Sequence, residues 1–302
     1  MTLAQLRTLL AVADTGSVRG ASERLFVSQP AVSGSVGALE RELGVELVAR
    51  DGRGLRFTPA GTAFVSAVRA GLAMLDRGAR EAQSIEEPGR GTVRIAAVTT
   101  AAERVLPPLL AAFRRGHPHA GLDVRVGNRT MVWGALRGGD VDLVVAGRPP
   151  AAMDARTLGR AANRLVVVGS PPDTGSPPGL KELGRMTWLL REEGSGTRDA
   201  ADELLDNLGL DPPKLILGSN GAVEQGAVEG LGVALVSLDA IWSALASRRL
   251  SIYQCRGTPL DRPWHLVTSA AITLSPTAVL AARSMMLGPS GFTPTPDGRR
   301  IL

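Results

Sequence analysis

The sequence predicts two folded parts joined by a long helix: a mainly helical N-terminal part closed by a β-wing, then a larger α/β part. Three observations predict it. Short helical periods followed by a hairpin pattern fill residues 2–61, an unbroken apolar seam runs over residues 58–84, and short apolar runs alternate with helical stretches beyond residue 91. At 302 residues the chain is about two typical domains long, and 44% hydrophobic content is enough for globular cores.

Thr2 and Gln5 form a capping-box pair, after which Leu3, Leu6, Leu9, Leu10 and Ala13 recur at helical spacing up to Gly16. Ser17 caps a second helix with Val18, Ala21 and Leu25 apolar, and Ser28 caps a third. In the third helix Pro30 sits in the first turn at no hydrogen-bond cost, and Val32, Val36, Leu39 and Leu43 form the buried stripe. Gly44 stops it. Leu47, Val48, the Asp51-Gly52 turn, Leu55 and Phe57 then read as a hairpin that ends at the helix start Thr58-Pro59. Two helices about a tight turn plus a β-wing make residues 1–61 a winged helix-turn-helix.

In the next segment, 62–88, Val65, Val68, Leu72, Leu75, Ala79 and Ala82 recur at steps of three and four. Such a helix would be roughly 40 Å long, and a partner helix is the natural cover for its seam. Glu86-Glu87-Pro88-Gly89-Arg90-Gly91 reads as a hinge.

Beyond it, strand-like runs at 93–98, 122–126, 142–146, 165–169, 187–190, 214–217, 233–236, 250–253 and 265–268 are separated by helical patterns, which argues for α/β with largely parallel strands. We expect residues 91–290 to split into subdomain I (91–163 and 266–290) and subdomain II (164–265). The Gly-, Pro-, Ser- and Thr-rich tail 291–302 reads as disordered.

Composition narrows the function classes. The single cysteine, Cys255, forbids an intramolecular disulfide, and it forms no ligand spacing with His117, His119 and His265. The first residues lack a basic n-region, and no apolar stretch reads as a membrane span, so a cytoplasmic protein is expected. No nucleophile elbow, Walker A sequence or dinucleotide fingerprint is present, which speaks against an enzyme. The net charge of +5 permits a polyanionic partner, but residues 1–61 hold seven Arg against six acids, so local arrangement has to carry any nucleic-acid reading.

That arrangement is Ser28-Gln29-Pro30-Ala31-Val32-Ser33. Gln29 can pair bidentately with adenine in the major groove, while Ser28, Ser33 and the first backbone N–H groups, around Pro30 and Ala31, suit phosphates. Arg50, Arg53 and Arg56 on the wing can reach flanking phosphates or the minor groove. In the second part, Val98-Thr99-Thr100 and the block Arg191 to Arg198 end strands in hydroxyls and glycine turns that open onto helices, an anion-binding arrangement; simple capping is the alternative. Arg129 and Arg148 end two further strands, where either pairing with an anion or a surface role is open.

Residues 3–61 resemble the DNA-binding domain of the LysR-type transcriptional regulators. The matching stretches are Gly16-Ser17, Ala21 to Leu25, Ser28 to Ser33, Leu39-Glu40, Leu43-Gly44, Leu47, Arg50 and Thr58-Pro59-Ala60-Gly61. The resemblance implies dimers through the long helix, tetramers on double-stranded promoter DNA, RNA polymerase as a further partner there, and a periplasmic-binding-protein-like effector domain. Gly147 to Pro150, Leu190 to Arg198, Gly230 to Ala234 and Leu274-Ser275-Pro276 look most like the branch that regulates Calvin-cycle (RuBisCO) operons. By that analogy Thr99, Thr100, Thr130, Arg148 and Thr197 line the effector cleft, no cofactor is needed, and a phosphorylated metabolite or carboxylate is the inducer. Gly34 and Gly37 stand where the family often has basic or long polar residues, so fewer phosphate contacts are expected from that helix. A constitutive DNA-binding dimer without a working inducer site, and a solute-binding protein, are the other readings.

Overall fold

The computed structural model describes residues 1–51, 54–86, 89–172, 175–288 and 291–302. It forms two compact units, Met1–Arg80 and Glu81–Leu302.

The first unit contains α1 (Leu3–Thr15), α2 (Val18–Leu25), α3 (Gln29–Leu43), the antiparallel pair β1 (Val48–Asp51) and β2 (Gly54–Phe57), and the beginning of α4 (Pro59–Glu86). The capping box at Thr2 and Gln5 is formed in both directions, and the hydroxyls of Ser17 and Ser28 accept from the third backbone N–H beyond them. Leu9, Val12, Ala21, Val32, Val36, Leu39 and Leu47 make the core. Glu40 ties α3 to the wing, its carboxylate accepting from Leu47 N at 2.8 Å and Val48 N at 3.1 Å. The Thr58 to Gly61 sequence has a packing reason. Thr58 Oγ1 donates to the Glu46 carbonyl and accepts from Gly61 N, and a side chain at Gly61 would overlap the Leu47 carbonyl oxygen.

The seam of α4 departs from the expectation of a partner helix along its length. Val68 and Leu72 are buried in the unit's own core, with Phe64 and Val65 packed beside them. Arg69 binds Asp14 of α1 at 2.5 Å. Leu75 is 58% exposed and Met74 62%, and Ala79 and Ala82 are exposed too, so the seam is uncovered only from Met74 onward. The spacing is the same in both halves; the unit's own core covers only the first. Within the expected hinge, Glu87 and Pro88 lie outside the described residues, as does Gly52 of the wing turn.

The second unit runs β3 (Thr92–Val98), a single π-helical turn (Ala101–Val105), α5 (Leu106–Gly116), β4 (Gly121–Gly127), α6 (Arg129–Arg137), β5 (Leu143–Ala146) and β6 (Ala155–Ala161). It continues with β7 (Arg164–Gly169), α7 (Leu180–Leu183), β8 (Trp188–Leu190), α8 (Gly196–Leu208), β9 (Lys214–Ile216), α9 (Asn220–Val228), β10 (Ala234–Ser237), α10 (Trp242–Ala246), β11 (Ser251–Tyr253) and β12 (Leu260–Asp261). The chain then returns through β13 (Trp264–Ser269), α11 (Pro276–Leu287), β14 (Thr293–Pro294) and α12 (Pro296–Arg299).

Two lobes result. The first carries a six-stranded sheet in the order β14-β6-β13-β5-β3-β4, and the second a sheet built on β7 with β10, β11 and β12, beside the pair β8-β9. Pairing is mixed rather than largely parallel. Only β3-β4, β3-β5 and β8-β9 are parallel among the described strand pairs; β13 runs against β5 and β6, and everything on β7 is antiparallel. The reason is the double crossing between lobes, which brings β13 back into the first sheet from the opposite direction. At those crossings Asn163 is buried, accepting from Ser237 Oγ at 2.7 Å and donating to the Arg262 carbonyl at 2.7 Å.

The tail expected to be disordered is packed. Phe292 is fully buried in the first lobe's core with Met285 and Met286, and β14 pairs with β6. Thr295 N donates to the Leu158 carbonyl at 2.9 Å. Composition alone misled, because one phenylalanine among Gly, Pro and Thr anchors twelve residues once an unpaired strand edge is available. That edge, β6, escaped the sequence reading, since Leu158 is the one large apolar residue in its seven.

Candidate nucleic-acid interface and effector cleft

The start of α3 presents a continuous surface. Ser28, Gln29, Pro30, Ala31, Ser33 and Gly34 are all exposed, while Val32, Val36 and Leu39 on the opposite face are buried. Ser28 spends its hydroxyl on Ala31 N at 3.3 Å, so it serves as a cap, and the side chain that projects with unused donors and acceptors is Gln29. Arg56 on β2 is exposed; Arg53 lies outside the described residues, and of Arg50 only its backbone, in β1, is described. The sequence reading passed over Phe26. Its side chain is 95% exposed, and its φ of 55° places it in the left-handed turn between α2 and α3, which makes it part of the same surface. Gly34 and Gly37 face open space, so nothing in the packing demands glycine at either.

In the second unit a pocket with about 420 Å³ of empty space, part of it open to solvent, lies between the lobes. Its polar lining is Thr100 from the first lobe and Arg191, Thr197, Asn220, Glu224 and Ser237 from the second, against an apolar wall that includes Leu189, Val223, Leu235 and Ile241. Each polar group stands at or just beyond a strand end or in a helix's first turns, where open α/β sheets gather ligand groups.

The lobes touch across this pocket. Asn220 Nδ2 donates to Thr100 Oγ1 at 2.7 Å, and Arg191 Nη1 donates to Asn220 Oδ1, so one amide joins the two sides. Beside it Arg129 meets Asp199 at 3.3 Å, Arg104 donates to the Ala240 carbonyl at 3.2 Å, and Thr130 N approaches the Gly194 carbonyl at 3.4 Å. Arg191 is 7% exposed and bidentate on Glu192, at 2.7 and 2.8 Å. That hydrogen bonding holds the Glu192 carboxyl below its usual range, burial opposing it.

Of the five cleft residues expected from the sequence, Thr100 and Thr197 line the pocket. Thr130 flanks it through its backbone at Gly194, and half-buried Thr99 is outside the lining. Arg148 is exposed and also outside the lining; its charge acts instead on His265 of β13. His265 is buried with Nδ1 unpartnered, and desolvation, then Arg160 and Arg148, push its pKa down to about 4. Asn220 and Glu224 were missed. The Ser219-Asn220 start after a strand carries the same signal that singled out Thr99 and Thr100, and Glu224 follows one helical turn on.

The comparisons with known proteins agree with this architecture. Residues 3–62 match the bacterial regulatory helix-turn-helix model of the lysR family, and residues 86–285 match the LysR substrate binding domain model. The chain belongs to the LysR family: it is a transcriptional regulator with a helix-turn-helix DNA-binding domain and an effector-binding domain. Within the family it resembles regulators of RuBisCO operons. It is 36% identical to the RuBisCO operon transcriptional regulator of Allochromatium vinosum over 282 residues, covering 92% of this chain and 93% of that protein. The CcmR regulatory domain of Synechocystis PCC6803 in complex with 2-PG is 26% identical, with a TM-score of 0.59 over 65% of this chain and 98% of that one. Full-length CbnR complexed with its target DNA shares the fold, with a TM-score of 0.66 at 22% identity over 94% of this chain and 98% of that one. Among the described residues no helix is long and apolar enough to cross a membrane.

Proposed function

We propose that this regulator reads its operator with Gln29 at the start of α3, holds flanking phosphates with the wing arginines Arg50, Arg53 and Arg56, and answers to a small anionic inducer in the pocket lined by Thr100 and Thr197. It acts in the cytoplasm as a homodimer or homotetramer at promoter DNA, beside RNA polymerase, and catalyses no reaction. A phosphorylated metabolite or a carboxylate is the inducer class, in keeping with the 2-PG complex of the related CcmR domain.

One observation carries the inducer reading: the pocket's polar groups come from both lobes and already bond to each other through Asn220. A ligand that takes over Asn220's partners necessarily changes how the lobes are held, and the lobe arrangement is what an oligomer can transmit to DNA. The coupling can be no larger than the inducer's differential affinity for the two arrangements.

The test is binding of the full chain to the intergenic DNA upstream of its own gene, titrated against salt with and without phosphorylated metabolites and carboxylates. The expected result is specific binding that one compound shifts. Thr197→Ala, which removes a lining hydroxyl that makes no bond between the lobes, should leave DNA affinity without inducer as it was and weaken the response at least tenfold. Specific binding that no compound shifts points to the constitutive reading instead.

A further inference from the structure

We propose that Phe26 reads the operator alongside Gln29, its ring meeting the C5-methyl group of a thymine in the major groove. This rests on the reading of α3 as the operator-facing helix, and adds to it an apolar contact from the turn that precedes that helix.

α1, α2 and α3 each end in a residue with left-handed backbone: Gly16 at φ 68°, Phe26 at φ 55° and Gly44 at φ 70°. The turn after α2 is closed by the N–H groups of Phe26 and Val27, both of which donate to the Ser22 carbonyl, the second at 3.1 Å. Glycine is the ordinary residue at such a helix end, because a Cβ strains the backbone there. α1 and α3 follow that rule and α2 does not. The ring gives the fold nothing in return. It is 95% exposed, and the unit's core takes Val18 and Leu25 from the same helix instead. A strained backbone and a bare aromatic ring at one residue both count against stability, so the contact that accounts for phenylalanine is made outside the unit.

Two features of the surroundings decide what the ring meets. Residues 26–31 are all exposed, so the ring is continuous with the surface at the start of α3. The arginines of α2 are paired within the unit, Arg19 with Glu23 and Arg24 with Asp14, each at 2.9 Å, so what the turn itself offers is apolar. In the major groove the apolar group that distinguishes one base from the others is the thymine methyl, and an aromatic side chain suits it.

Binding of the full chain to its operator, resynthesised with deoxyuridine in place of thymidine at one position at a time, tests this. At one such position the lost methyl should weaken binding of the unaltered chain about fourfold, the effect of one buried methyl group. Phe26→Gly should lose at least as much affinity on the thymidine operator and be indifferent to deoxyuridine at that position. It should unfold at a midpoint no lower than the unaltered chain's, since glycine relieves the turn. Phe26→Asn, which also tolerates left-handed backbone, should behave in the same way.

Operator binding by Phe26→Gly as tight as that of the unaltered chain would overturn the inference and send the ring to a protein partner. A loss that no thymidine position accounts for would overturn it by placing the ring on the sugar–phosphate backbone. A lowered unfolding midpoint in both variants would overturn it by giving Phe26 a structural role. In these three cases the reading of α3 stands. If the full chain binds no stretch of the intergenic DNA specifically, the inference and that reading fall together.

Discussion

Two helix starts in this molecule differ in how their first turns are satisfied. That of α3 is capped by its own Ser28, and its exposed surface comes from six neighbouring residues, 28–31, 33 and 34. That of α8 has no capping bond, and the pocket it opens onto draws on residues from Thr100 to Ile241. A capped helix is rigid before its ligand arrives and projects side chains for reading bases. An uncapped one leaves its first backbone N–H groups without a side-chain acceptor, and the surroundings of this one exist only when distant segments come together. The DNA-facing surface is therefore a local construction and the cleft a tertiary one.

The sharpest way to break that comparison is at a place where the local unit depends on a tight fit between its wing and α4. Gly61→Ala drives a methyl group into the Leu47 carbonyl. It should destabilise the N-terminal unit by about 3 kcal/mol, read by denaturant unfolding of the full chain, with operator binding lost in step.

Acid should separate the units next. All three histidines lie beyond residue 80, and His265 titrates near 4 in the fold against 6.5 when exposed. Below 6.5 the unfolded chain takes up a proton that the fold refuses, so stability is intact above pH 6.5 and falls as pH drops toward 4, by up to about 3 kcal/mol. The second unit should melt earlier across this window than the first, and His265→Gln should flatten its pH dependence. A slope unchanged in that variant would show that other groups govern acid sensitivity.

Gln29→Ala tests reading by a side chain. A lost bidentate base contact is worth about 1–3 kcal/mol, so the ratio of specific to nonspecific affinity should drop roughly tenfold or more, with the salt slope unchanged. An unaltered ratio would move base reading to another residue, Phe26 being the exposed neighbour. The smallest effect is expected from Gly37→Ala. With open space around it, this change should stabilise α3 by about 1 kcal/mol, seen as a raised unfolding midpoint of the first unit alone.

Residues 1–61 were legible because everything that specifies them is near in sequence: Thr2 with Gln5, Ser17, Ser28, Gly16 and Gly44 as stops, and a 3.6-residue stripe between them. Most of the second part's strands were legible for the same reason, β6, β12 and β14 being the ones that were not. Their directions were not, since whether β13 runs with or against β5 is set by where the chain crosses between lobes, not by any local pattern. The same limit hid three other features. Val68 and Leu72 share the spacing of Leu75, but only the assembled core of the first unit decides which are covered. Phe292 looks like part of a loose tail until β6 offers it an edge. Arg148, placed at the cleft by analogy, is exposed and outside the pocket's lining.

By itself, then, the sequence determined the helix-turn-helix, the long helix, the α/β alternation and the family. Local propensity, capping and periodicity act over a few residues and need no partner. Only the tertiary structure decided which half of the α4 seam is free, which strands run antiparallel, and that Asn220 and Glu224 join Thr100 and Thr197 around one pocket. Those outcomes depend on contacts between segments 120 or more residues apart in several cases, as between Thr100 and Asn220, which no local pattern encodes.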